Sequence, residues 1–318
     1  MRNIELPTGL SQHAIRHFLS ACNFEVVGDE GTISIGSPKG VFFAEPFALS
    51  MLAALGDEAA SKNINVTLET PSVSGLRYAK RMHLFEFLKV SYDQSVTEKE
   101  ESGKFIPIAR VANADALKAF IAQLMSLWHL PEESAAAVSY CVSELVRNVL
   151  EHAGPSCAYV CAQYYKEKQR VEIGVADRGK GILSSLHRNY PDLRTDQAAI
   201  VEALKPGVTG SKSFENAGAG LFFTKSLAKL SSSYFSIYSG KACYRVRKSN
   251  PDGQITLFAD PLLDKHDLWD NLEYWPGTVV AVDINVGRLK HFRSTLAAIK
   301  KAYETGKQPK PKQKIHFT

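Results

Sequence analysis

Apolar and polar positions along the chain change period several times, and each change marks an element. Residues 46–61 carry Phe47, Leu49, Met51, Leu52 and Leu55 at helical spacing behind Pro46, a residue suited to a first helical turn. A short apolar strand at 41–44 precedes them, and residues 64–69 alternate with a two-residue period, as a strand does. Residues 75–87 read as a second amphipathic helix. Before this unit, residues 11–22 fit a short helix, and 25–27 and 32–35 fit strands around the turn 28–31. Strand, helix, strand, helix with short connections predicts a small α/β unit.

Residues 91–104 are polar, charge-dense and poor in apolar side chains, and read as a linker or exposed loop. Beyond them, 106–112 fits a strand and 114–128 a helix. Pro131, Glu132 and Glu133 then open a further helix. Residues 157–165 and 170–177 alternate like two antiparallel strands joined at 166–169. Residues 184–206 mix helix and loop, and 221–230 is a helix. Strands follow at 233–239, 241–246 and 256–259, and Pro276-Gly277-Thr278 leads into a last one at 279–284. Residues 289–303 form a basic amphipathic helix, and 307–314 have the composition of a disordered tail. The division expected is 1–92, a linker 93–111, a second domain 112–290, and a basic helix with tail 291–318.

With 318 residues and 45% apolar content, the chain is large enough for two packed domains. No apolar run approaches a membrane span, and the first residues lack an apolar signal segment, so a cytoplasmic protein is expected. The net charge of +5 is weighted toward the C-terminal lysines; nucleic acid is a possible partner that this charge alone does not support. The five cysteines are scattered, with no second Cys/His pair to complete a zinc site beside Cys157 and Cys161, and read as buried thiols.

Candidate chemistry starts in residues 139–154. Glu144, Asn148 and His152 follow one another at four-residue spacing and share one helix face, opposite Val142, Leu145, Val146, Val149 and Leu150. An amide oxygen suits a hard cation, and a carboxylate one turn away can take a proton from a nucleophile; the same stripe also suits a merely solvated face. Asp177 ends a strand and is followed by Gly179 and Gly181, which fits either a carboxylate set beside a flat ligand or a plain Asp-x-Gly turn. Residues 207–220 form a long small-residue loop, and Gly218 and Gly220 stand at the start of the next helix, where backbone amides can cradle phosphate. Lys212 in that loop does not make a P-loop: Ser211 precedes it, and no glycine stands six positions earlier.

In order, the chain carries Glu144-x-x-x-Asn148, Asp177-x-Gly179-x-Gly181, Gly218-x-Gly220-Leu221 and Gly277-Thr278. This series resembles the GHKL (Bergerat) ATP-binding fold of sensor histidine kinases, Hsp90, type II topoisomerase ATPase subunits, MutL and the anti-sigma serine kinases, over about residues 112–287. The resemblance implies an α/β sandwich with a mixed, mostly antiparallel sheet, helices on one face, and ATP between the helices and a flexible lid. It implies that Asn148 ligates Mg2+, that Asp177 bonds the adenine amine, and that Gly179 and Gly181 let the base approach. By the same resemblance Gly218, Gly220 and Leu221 belong to the phosphate loop, with Thr209 and Lys212 in the lid. Thr278 supports Asp177, Glu144 is the general base, and His152 is structural.

Residues 25–90 resemble STAS-like domains, the fold of bacterial anti-sigma factor antagonists, through VFFAEPFALSMLAAL and NINVTLETPSVSGLRYAKRMHLFEFLKV. Those antagonists place a phosphorylatable serine at the helix start. Here the turn is Ala44-Glu45-Pro46-Phe47, without a hydroxyl, and Glu45 reads as a surface carboxylate or as a fixed negative charge.

None of His13, His17, His83 and His129 sits in a His-Glu-x-x-x-Pro setting, which argues against a histidine kinase. The function expected is a Mg-ATP-binding regulator that phosphorylates a partner's Ser/Thr in an anti-sigma-kinase-like switch, with a regulatory protein as partner and the chain as a homodimer. Two alternatives stand beside it: a conformational ATPase of Hsp90/MutL type, although about thirty residues follow the domain where those proteins carry another, and a non-catalytic nucleotide-dependent binding module.

Overall fold

The computed structural model describes residues 2–7, 9–21, 31–36, 43–69, 73–91, 105–209, 218–248, 255–289 and 291–306. In the N-terminal unit, β1 (Arg2–Glu5), β2 (Gly9–Leu10), α1 (Ile15–Ala21), β3 (Gly31–Gly36) and β4 (Phe43–Ala44) lead to α2 (Pro46–Ser61) and β5 (Ile64–Glu69). β1, β3 and β5 form a parallel sheet in that order, and β2 pairs with β4. The single helix expected at 75–87 is two: α3 (Val73–Arg81) and α4 (Leu84–Leu88), separated because His83 takes a left-handed conformation with φ of 61°. The strand expected at 25–27 lies outside the described residues, as do most of the 93–111 linker and the tail from 307.

The second unit begins with β6 (Phe105–Val111), which the sequence division had left in the linker; it is the edge strand of a large sheet. Next come α5 (Ala114–Trp128), α6 (Glu132–His152), β7 (Ala158–Tyr165) and β8 (Arg170–Ala176). Asn113 caps α5 by accepting the Ala116 amide at 2.9 Å. After β8 the chain forms α7 (Gly181–Leu186), α8 (Asp196–Ala203), α9 (Gly220–Leu230), β9 (Phe235–Gly240) and β10 (Ala242–Val246). It closes with β11 (His266–Trp269), β12 (Trp275–Asn285) and α10 (Phe292–Gly306). The strand expected at 256–259 is irregular chain, and the strand of this region, β11, lies further on at His266–Trp269. The large sheet has seven strands in the order β11-β10-β9-β12-β8-β7-β6, and every neighbouring pair is antiparallel.

Successive strand residues point to opposite faces, and here both faces are buried. Val171, Ile173 and Val175 of β8 join Val280 and Val282 of β12 in a core under α5, α6 and α9. Ala176, Val279 and Ala281 belong to a second core shared with α2. The resemblance implied helices on one face only; in the structure the N-terminal unit covers the other. Its contact is close because position 174 lacks a side chain: a Cβ on Gly174 would lie 2.3 Å from the Phe47 nitrogen. Around it, Ser50 donates to the Gly174 carbonyl at 3.1 Å and the Cys161 thiol to the Pro46 carbonyl at 3.2 Å. Cys141, Cys157, Cys161 and Cys243 are buried free thiols.

The start of α2 corrects the reading of Glu45 as a surface group. Its carboxylate is buried and accepts the Gln12 amide at 2.7 Å, and burial raises its pKa despite that bond. Nearby, Arg170 pairs with Asp283 at 2.6 Å and with Glu172 at 2.6 Å. Two carboxylates thus share one guanidinium, and Glu172 is pushed up to about 8, first by burial and then by the nearby Glu45. The C-terminal helix α10 is part of the second unit, since Tyr303 packs on Phe222 and Phe223 of α9.

Candidate functional site

On the α6 side the sheet is not covered to its end. A cleft of about 800 Å3 opens between α6, α7 and the start of α9, floored by Val175, Val280 and Asp177. Its lining is apolar apart from a few convergent polar groups, the usual make-up of a small-molecule site.

Asp177 follows the last residue of β8 and continues its alternation, so its side chain turns toward the cleft while its neighbours turn away. It is only 2% exposed. One carboxylate oxygen accepts the Gly179 amide at 2.7 Å and the other accepts the Thr278 amide at 3.2 Å. Its own amide donates to the Thr278 carbonyl at 2.9 Å. Burial raises its pKa to about 7, with the two amide bonds opposing the shift. The carboxylate is therefore fixed in direction and poised near neutrality.

Gly277 makes this possible. It has φ of 124°, and a Cβ there would lie 2.3 Å from the Asp177 carbonyl oxygen. Gly181 (φ of 74°) is held beneath the cleft by Ser239, whose hydroxyl accepts the Ile182 amide at 3.0 Å and donates to the Gly277 carbonyl at 2.6 Å. One serine thus fixes the two glycine turns that flank Asp177. Gly179 has a different neighbour: its Cα abuts the end of α6, where a Cβ would stand 2.2 Å from the Ala153 carbonyl oxygen.

Asn148 lines the cleft from α6. Its Nδ2 is buried and makes no hydrogen bond with the described residues. An amide left unsatisfied costs free energy, so this side chain fits a role toward a ligand. Among the described residues no three His, Cys, Asp or Glu side chains gather into a metal site. A Mg2+ ion here would draw one amide oxygen from Asn148 and its other ligands from phosphates and water, the arrangement this ion favours.

Glu144 lies one turn before Asn148. It is not among the lining residues but sits at the rim, against the start of α9: a Cβ on Gly220 would be 2.6 Å from its carboxylate. Partial burial raises its pKa, against the pull of Arg147 3.7 Å away. His152 does line the cleft, and burial lowers its pKa. Gly218, Gly220, Leu221, Thr209 and Thr278 line it as well, and the Gly218 carbonyl accepts the Gly207 amide at 3.0 Å. Lys212 lies outside the described residues.

The structure therefore brings together Asn148, Asp177, Gly181, Thr209, Gly218, Gly220, Leu221 and Thr278, with Glu144 at the edge. Two contributors were missed in the sequence, Ser239 and Trp275. The Trp275 indole donates to the Asp177 carbonyl at 2.9 Å. A serine ending an apolar strand and a tryptophan two residues before Gly277 are the only signals, and neither is specific.

Residues 108–243 match the family model of the histidine kinase-like ATPase domain. The match supports an ATP-binding, GHKL-type domain over that span. It ends within β10, whereas β12, which carries Gly277 and Thr278, lies beyond it and completes the same sheet between β8 and β9. No curated protein gives a match to the chain.

Proposed function

We propose that the cleft binds Mg-ATP and that the chain transfers the terminal phosphoryl group to a serine or threonine of a regulatory protein partner. Such a switch would be of anti-sigma-kinase type, with residues 1–92 as a STAS-like regulatory domain. The observation that carries the nucleotide reading is Asp177: a buried carboxylate, aimed by two backbone amides into a glycine-edged cleft, is suited to accept a hydrogen bond from an exocyclic amine. The domain match over the same residues supports it.

Each residue has a role under this reading. Asp177 selects the base, and Gly181 and Gly277 shape the backbone beside it. Asn148 would hold the ion, which would supply positive charge against the phosphates. The amides around Gly218 and Gly220 meet the phosphates at the start of α9. Glu144 takes the proton as the acceptor hydroxyl oxygen bonds to phosphorus and ADP departs; its raised pKa makes it a better proton acceptor than an ordinary surface carboxylate.

Calorimetric titration with Mg-ATP tests the site. Wild type should bind, Asp177→Asn should weaken binding at least about tenfold through loss of the fitted acceptor, and Asn148→Ala should weaken the Mg2+-dependent part. Unchanged affinity in both variants overturns the assignment. Labelled ATP with candidate partners then tests the transfer: label on a partner's hydroxyl, lost in Glu144→Ala, is expected, and no labelled partner argues against a kinase.

A further inference from the structure

The residue after Asp177 points the other way. Strand alternation carries on through the end of β8, so Arg178 leaves the sheet on the α2 side, with its side chain 7% exposed. There it pairs with Glu58 of α2. The guanidinium carbon stands 4.6 Å from the centre of the Trp275 ring, a cation–π distance. Trp275 is fully buried and donates its indole N–H to the Asp177 carbonyl at 2.9 Å. Two and three residues further on, Gly277 packs against the Asp177 backbone and the Thr278 amide, with that of Gly179, donates to the Asp177 carboxylate. Asp57, beside Glu58, extends the contact with a hydrogen bond from Tyr159 and an ion pair to Arg110 at 3.2 Å.

We infer that Arg178 is a positioning residue that ties the seating of α2 on the sheet to base recognition by Asp177. This rests on the nucleotide reading above. Glu58 fixes Arg178, Arg178 fixes the face of Trp275, and Trp275 fixes the carbonyl of the residue that reads the base. A unit outside the ATP-binding domain thereby enters the specificity of the cleft. Thermodynamic linkage makes the effect reciprocal: nucleotide held by Asp177 strengthens the docking of α2 by the same factor.

The test uses the full chain and two nucleotides, Mg-ATP and Mg-inosine triphosphate, which share phosphates and sugar but differ in the exocyclic amine. Wild type should prefer ATP. Glu58→Gln and Arg178→Ala should lower ATP affinity about tenfold, within the range usual for coupled sites, and leave inosine triphosphate affinity nearly unchanged, so the preference collapses. Arg178→Lys keeps the charge but loses the flat stacked group, and should fall between. Hydrogen exchange supplies a second readout: Mg-ATP should slow α2 amides in wild type and not in Arg178→Ala.

A purely structural role would weaken both nucleotides together, and that result overturns the inference. So does an unaltered preference in Glu58→Gln and Arg178→Ala when Asp177→Asn abolishes it. If Asp177→Asn itself leaves the preference intact, the reading of the site fails rather than the coupling alone. Should Arg178→Ala not fold, Glu58→Gln and Arg178→Lys carry the same comparison.

Discussion

The two faces of the seven-stranded sheet use the same strands for opposite ends. Toward α6, side chains of β8 and β12 build a core that stops short and leaves a cleft of about 800 Å3. Toward α2, the gap is closed so tightly that the backbone of β8 meets the backbone of a helix at Gly174. Each face carries a buried acid. Asp177 on the open face is held by backbone amides, whereas Glu172 on the sealed face sits among Glu45, Asp283 and Arg170. One carboxylate is placed where a ligand can reach it, and the other where only protein can. Burial of a polar group therefore does not by itself mark a ligand site; the space in front of it decides.

The most severe way to break the contrast is to pry open the sealed face. Gly174→Val places two branches where even a Cβ is 2.3 Å from the Phe47 nitrogen. We expect a loss of about 3 kcal/mol or more in urea unfolding, the range of severe overpacking. An unchanged unfolding midpoint would show that α2 does not rest there.

Proton linkage separates the faces at a smaller scale. Both acids have pKa values raised above their ordinary values, Asp177 to about 7 and Glu172 to about 8. Across that window the native state keeps protons the unfolded chain has lost, so stability without nucleotide falls as pH rises from about 4 to about 8. Glu172→Gln should flatten the upper part of that slope, between about pH 7 and 8, in thermal unfolding across pH. A slope that is unchanged would mean Glu172 is ionised in the native protein.

Of these two acids only Asp177 should bear on nucleotide affinity, and in the opposite direction. An ionised carboxylate accepts the amine's hydrogen bond more strongly than a protonated carboxyl, so ATP affinity should rise by up to about tenfold between pH 6 and pH 8, as a pKa near 7 implies. Glu172→Gln should leave this profile in place and Asp177→Asn should remove it; titrations at several pH values distinguish them. The smallest effect concerns α8, whose last residue, Ala203, lines the cleft. Thr195 caps α8 by accepting the Ala198 amide at 3.2 Å, and Thr195→Ala should cost about 1 kcal/mol, with little change in the pH profile of binding.

What the sequence disclosed divides along the same line. The open face was legible because its chemistry is punctuated: Asp177 and the glycines at 179, 181, 218, 220 and 277 interrupt apolar runs, and Glu144 and Asn148 stand a helical turn apart. The sealed face left no such marks. Gly174 looks like any glycine in a strand, and Glu45 before Pro46 reads as a surface group until Gln12 is seen to donate to it. Arg178 was passed over as the variable position of a glycine motif, because strand alternation tells which side it takes but not what waits there. The edge strand β6 reads as strand yet falls in the expected linker, since its pairing with β7 depends on partners 47 to 58 residues away. Local pattern records propensity, and these features depend on tertiary contact.

The glycine at 174 also bears on descent. A chain with any side chain at this position cannot seat its N-terminal helix as this one does, since the clash is with main chain rather than with a side chain that could mutate in step. The docking of the N-terminal unit therefore leaves a one-letter trace inside the second unit itself. Among related domains, that letter should sort those that inherited such a helix from those that never carried one.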